Sequence, residues 1–240
     1  MLFESISDKI VSQSIENIVN QERANQIAQI GMAWDFYYGE YERYIKRYNG
    51  ESERDYHDKD KLGVNYTKAI VDKYISGIFG RPVTVDFDEE KYQQIWQKTT
   101  ELDEFDNVNN FFKKVQRIAE ISDTCVVMVR HNKETNQTYL EEIRGEFCVF
   151  IPDEENPKQI GTLVIDYTYD TYGFNENERF ARRIEIWDKD QFVIYKVSGH
   201  GYNNKQIVAQ GENPFGFIPA VRFQPEEDDN TFYGITNVKD

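Results

Sequence analysis

Val64 to Phe87 reads VNYTKAIVDKYISGIFGRPVTVDF, and the pattern predicts a helix that runs straight into a strand. Asn65 or Thr67 can cap its start, because a short side-chain oxygen there accepts from an otherwise unpaired first-turn N–H. Ile70, Tyr74 and Ile78 recur every four residues, and Val71, Ile75 and Phe79 form a second row one residue on. Two adjacent rows make a broad apolar face, so the helix is expected to be largely buried. Gly80 stands where a left-handed C-cap residue belongs, and Pro82 cannot continue the helix. Val83, Val85 and Phe87 then alternate with Thr84 and Asp86, the period of a half-buried strand.

Upstream of this seed, Ser5 to Asn20 carries a thin stripe (Ile6, Ile10, Val11, Ile15, Ile18, Val19), a helix that needs a neighbour to be stable. Glu22 to Tyr48 keeps helical spacing through Ile27, Ile30, Trp34, Tyr37, Tyr38, Tyr41, Ile45 and Tyr48, with Arg43, Lys46 and Arg47 favourably placed near its end and Gly50 as its stop. Its aromatic stripe reads as packing surface rather than a stacking platform for bases, since few cations interleave the rings. Glu51 to Gly63 is a charged loop. Downstream, Glu89 to Leu102 is a short amphipathic helix. Asp106 caps a clearer one in which Val108, Phe111, Phe112, Val115, Ile118, Ala119 and Ser122 share a face that should lie on a sheet. After Asp123 the period changes. Thr124 to Arg130 is a central strand. Thr138 to Ile143 and Glu146 to Ile151 are expected to pair, joined through Arg144 and Gly145. Gly161 to Tyr169 alternates, Phe180 to Trp187 and Gln191 to Val197 form a hairpin across Asp188-Lys189-Asp190, and Gln206 to Ala209 is a short strand. Phe217 to Phe223, interrupted by Pro219, belongs on an edge. Helices first and strands later define an α+β fold, with N-terminal helices packed on a mixed, mainly antiparallel β-sheet. The expected organisation is one packed unit over 1–240, with N-terminal helices in 1–63, a helix–strand–helix core in 64–123 and a β-rich part in 124–240.

Composition narrows the function. The 240 residues are 39% hydrophobic and 15% aromatic, enough for a real core. Lys and Arg number 28 against 43 Asp and Glu, a net charge of −15, which argues against gripping nucleic acid through its phosphates but not against DNA passing by an acidic wall. Cys125 and Cys148 each sit in an apolar run and read as reduced core thiols; a disulfide between neighbouring strands is the alternative. The N-terminus has no signal-peptide pattern, and no apolar run approaches the ~20 residues of a membrane span.

The search for chemistry finds no catalytic, cofactor-binding or metal site to name. Gly77-Ile-Phe-Gly80 lies between helix and strand, the reverse of a phosphate loop, and lacks its Lys-Ser/Thr. His57, His131 and His200 have no zinc-type spacing. His57 among Asp55, Asp58 and Asp60 could be imagined as a metal site, but Lys59 and Lys61 intervene and a solvated loop is the simpler reading. Ser76-Gly77 and Ser198-Gly199 lack the nucleophile-elbow pattern. Glu141-Glu142 and Glu226-Glu227-Asp228-Asp229 read as solvated charge, the second run with loose divalent-cation binding as its alternative.

Three segments carry a family resemblance. Residues 65–85 (NYTKAIVDKYISGIFGRPVTV), Trp34 to Gly50 (WDFYYGEYERYIKRYNG) and Asn213 to Gly234 (NPFGFIPAVRFQPEEDDNTFYG) resemble, in order, parts of the N-terminal wing of tailed-bacteriophage portal proteins of the siphovirus type found in phages of Gram-positive hosts. The resemblance implies a structural, non-enzymatic subunit without cofactors. It would sit in the virion at one capsid vertex, after assembly in the host cytoplasm, and join self-copies into a ring that is a dodecamer in full-length members. Capsid and scaffolding proteins would be partners. DNA would pass through the channel without specific binding, and no membrane would be involved. Terminase and the head-completion adaptor would be met through stem and clip regions that follow the part matched here. Thr236 or Asn237 could cap a helix leading there, so the chain is expected to continue beyond Asp240 and residues 1–240 alone not to close a ring. Two other readings stand beside this one: an Mg-dependent nucleic-acid enzyme of α+β fold, and a monomeric binding module.

Overall fold

A computed structural model describes residues 21–58, 65–81, 84–100, 108–132, 135–170, 180–198, 205–227, 231–236 and 238. The predicted helix at Ser5 to Asn20 lies outside them. Among the described residues the helices are α1 (Gln21–Tyr38), α2 (Glu53–Asp58), α3 (Tyr66–Ile78), α4 (Glu90–Thr100) and α5 (Val108–Ser122). The strands are β1 (Cys125–Asn132), β2 (Gln137–Arg144), β3 (Cys148–Pro152), β4 (Ile160–Asp170), β5 (Phe180–Trp187), β6 (Gln191–Ser198), β7 (Lys205–Glu212) and β8 (Ala220–Phe223). The α+β class is as the sequence predicts. The strands form two sheets rather than one, β2-β1-β8 and β3-β4-β5-β6-β7, and every strand pair is antiparallel.

Three layers follow from strand alternation, since successive side chains point to opposite faces. Cys125 and Val127 of β1 face the helices, where they join Ile30, Trp34, Ile75, Val115, Ile118 and Ile121 in one core. Val126 and Met128 face the other way and pack on Cys148, Phe150, Leu163, Ile165 and Trp187 of the five-stranded sheet. The far face of that sheet carries a third cluster of Val164, Ile184, Ile186, Val193 and Val197. β1 thus has a core on each side, which is why its sequence is apolar without alternation.

Several expectations are corrected. The helix expected to reach Tyr48 stops at Tyr38, because Gly39 takes a left-handed φ of 84° and Glu40 N–H donates back to Asp35 O at 2.7 Å, closing the last turn. A short 3₁₀ turn at Glu42–Tyr44 follows. Asn65 closes two helix ends together: its Oδ1 accepts from Lys68 N–H at 2.9 Å, the predicted cap, and its Nδ2 donates to Tyr37 O at 2.8 Å. Gly80 is not left-handed; among the described residues the glycines of positive φ are Gly39, Gly50 and Gly216, and α3 ends at Phe79 with φ −101°. Residues 84–87 form no strand, since no neighbouring strand offers them a ladder. The charged loop after Gly50 contains α2. The strands β2 and β3 do not pair: a 3₁₀ turn at Gly145–Phe147 carries the chain from one sheet to the other. The hairpin β5–β6 forms as predicted, with Trp187 opposite Phe192. β7 is longer than expected, and β8 occupies a sheet edge as Pro219 requires.

Half of α3 departs from its reading. Val71 and Ile75 are buried, but Tyr66, Ile70, Tyr74 and Ile78 are 68%, 67%, 53% and 48% exposed. Only one of the two rows meets α1 and α5 in the helical core.

Candidate functional site

Among the described residues, two of the buried polar centres and two of the exposed apolar surfaces bear most on what the molecule can do. The first centre lies where α5 turns into β1. Asp123 sits there at φ 61°, a conformation that an aspartate tolerates better than most residues. Arg23 of α1 reaches it, donating from Nη1 to Asp123 Oδ2 at 2.6 Å and from Nη2 to Gly145 O at 3.0 Å. The same guanidinium lies 3.4 Å from the centroid of the Tyr233 ring, a cation–π contact away from water. Tyr233 O–H in turn donates to Cys148 O at 3.2 Å. Gly234 N–H donates to Thr124 Oγ1 at 3.0 Å, and Thr236 Oγ1 donates to Glu120 O at 2.8 Å. A Cβ on Gly234 would stand 2.3 Å from Asp123 O, so only glycine fits. The segment Phe232 to Thr236 is therefore fastened to α5, β1 and β3, and Arg23 ties it to α1. Burial pushes the Asp123 carboxyl up to about 6 despite Arg23, and burial likewise raises Glu146 beside it.

The second centre joins the two sheets. Glu185 of β5 is fully buried and accepts from Arg130 Nη1 at 2.5 Å and Nη2 at 2.9 Å, from Arg183 Nε at 2.7 Å and from Trp187 Nε1 at 3.0 Å. Arg130 of β1 also donates to Glu141 Oε2 at 2.6 Å. Burial alone would raise Glu185, but Arg130 and Arg183 outweigh it and hold the carboxyl below its ordinary range.

The two surfaces are the outer row of α3 and a patch of Phe215 and Phe217, whose ring centroids are 6.0 Å apart, just before β8. Near that patch a cleft of about 760 Å³ opens between the sheets.

Among the described residues the groups singled out for chemistry are not brought together. Cys125 and Cys148 are free and buried; burial pushes the first thiol up to about 12 and raises the second well above its ordinary value, so neither is a nucleophile. His131 is exposed, its Nδ1 3.3 Å from Thr138 Oγ1. The side chain of His57, all of His200, and Asp228 and Asp229 lie outside the described residues. Glu141 and Glu142 are not simply solvated charge: the first meets Arg130, the second Lys114. Among the described residues no group of three or more His, Cys, Asp or Glu could hold a metal ion, and no helix is long and apolar enough to cross a membrane. The sequence reading missed both buried arginine centres. The second has one local signal, the run Arg182-Arg183-Ile184-Glu185, charges inside an otherwise apolar strand.

Buried ion pairs join the layers, and the segment Phe232 to Thr236 is fastened across them. The chain belongs to the phage portal protein family, SPP1 Gp6-like, whose sequence model matches residues 16–240. No curated protein matches the chain. As a portal-family protein it has a structural role in a bacteriophage.

Proposed function

We propose that residues 1–240 form the wing-like domain of a portal subunit, with copies of the chain forming a ring at one capsid vertex. Through that ring DNA would enter during packaging and leave on ejection, and the tail would be joined to the head. The observation that carries this reading is a family match that runs over nearly the whole chain. The fastening of the Tyr233-Gly234 segment supports it, because that segment leads toward the stem and clip in the resemblance read from the sequence. Capsid and scaffolding proteins are the proposed neighbours of the wing, and terminase and the head-completion adaptor those of the later regions. The ring would be a dodecamer, assembled in the host cytoplasm. No residue here is assigned a catalytic, cofactor-binding or metal-binding role, and the acidic chain lets DNA pass rather than holding it. The test is gold-labelled antibody against this chain on intact virions. Label at the single tail-bearing vertex is expected; label over the whole shell or along the tail would overturn the reading.

A further inference from the structure

We propose that the exposed row of α3 seats in the cleft between the two sheets of a second copy of this chain. This rests on the portal reading and gives it a specific contact. Tyr66, Ile70, Tyr74 and Ile78 lie four residues apart along the whole of α3, and each is about half or more exposed. Large side chains of this kind bury on the order of 150–250 Å² each, so the row alone offers several hundred Å², about half of what one partner gives to a standard interface. That is about the size of the largest apolar patch on a typical monomer, a patch that is often functional.

The charge around the row selects the occupant. The chain as a whole carries −15, yet residues 66–81 hold Lys68, Lys73 and Arg81 against Asp72 alone. Lys73 and Gly77 flank the row, both exposed, and nothing stands within 4 Å of where a Cβ on Gly77 would be. This is a basic-flanked apolar ridge on an acidic protein. Its complement is an apolar groove with an acidic rim, and the cleft has both. Val126, Phe150 and Ile218 line it, with Phe217, 60% exposed, at its edge. Asp153, Glu154, Glu155, Asp188 and Asp190 stand around it against Lys189 and Arg222.

Topology forbids a chain from filling its own cleft. The helix α3 packs through Val71 and Ile75 on α1 and α5, in the core that lies on the Cys125 and Val127 face of β1. The cleft opens on the opposite face, that of Val126 and Phe150. Ridge and groove thus lie on opposite sides of β1, and their union between copies is head-to-tail, an arrangement that gives a ring when its rotation closes and a filament when it does not.

The two halves can be removed separately by exposed substitutions that leave the cores intact, Tyr74→Asp in the ridge and Phe217→Asp in the groove. Sedimentation equilibrium from about 1 to 500 μM reads the association. The unaltered chain is expected to associate with rising concentration. Each variant alone is expected to bind itself about tenfold more weakly or less. An equal mixture of the two should form dimers and nothing larger, because one intact ridge meets one intact groove. An unaltered chain that stays monomeric, variants that associate like it, or a mixture that stays monomeric would overturn the proposal. If copies assemble in spite of both substitutions, the contact is refuted while the portal reading, judged on virions, stands.

Discussion

Two buried arginine centres, at Asp123 and at Glu185, solve the same problem with opposite results. Asp123 and Glu185 are each almost fully removed from water and each face a guanidinium. Glu185 has two arginines and an indole N–H, and both its oxygens are engaged. Asp123 has Arg23 on Oδ2, while its Oδ1 is buried without a hydrogen-bond partner. Burial of a carboxylate is costly, and one cation does not offset it where two do. Glu185 is thus held ionised, whereas Asp123 is raised to about 6. The centre between the sheets is a fixed bond. The one beside Tyr233 and Gly234 depends on pH.

The largest effect should come from breaking the fixed bond. Glu185→Ala leaves Arg130 buried with only the outer Glu141, and is expected to cost about 3–5 kcal/mol in urea unfolding. A loss below 1 kcal/mol would show that the sheets do not rely on this pair.

The next test is the pH response of Asp123. Its folded pKa is raised, so its contribution to stability is fully present below the ordinary value of 3.8 and is lost as pH rises through about 6. Relative to Asp123→Asn, the native protein should therefore gain about 1 kcal/mol between pH 7 and pH 5. Glu185 works the other way: its depressed pKa gives stability that is present above the ordinary carboxylate range and disappears only as pH falls through the lowered value. Denaturant curves of both proteins at the two pH values decide it; a constant difference would remove the contrast. The smallest effect should come from Glu141→Gln. Its side chain is 34% exposed, so screening limits the loss to about 0.5–1 kcal/mol, and salt should shrink it further.

Local patterns were legible where one residue's surroundings are set by its near neighbours. The period of α5, the apolar run of β1, the β5–β6 hairpin and the Asn65 cap could be read directly. The stop at Gly39 could not, because Tyr41, Ile45 and Tyr48 continue the helical spacing past it. What ends the helix is a left-handed glycine with the Asn65 amide 3.3 Å from where its Cβ would be, a neighbour 26 residues away. The two rows of α3 are equally apolar, and only the packing of α1 and α5 decides which one is covered. Residues 84–87 alternate like a strand, but a strand exists only with a partner. The split of β2 and β3 into separate sheets depends on Gly145, which has to be a glycine: a Cβ there would be 2.6 Å from Thr124 O. Glu185 reads as an unpaired charge in an apolar strand until Arg130, 55 residues earlier, is placed opposite it. The motif Tyr233-Gly234 was legible as a family mark, but its seat on Thr124 was not.

That seat has a mechanical consequence. Tyr233 is pinned to β3, Gly234 to the start of β1 and Thr236 to the end of α5, so the segment acts as a rivet through stacked plates rather than a cord tied to one of them. A pull on this segment would be shared by the helical layer and both sheets.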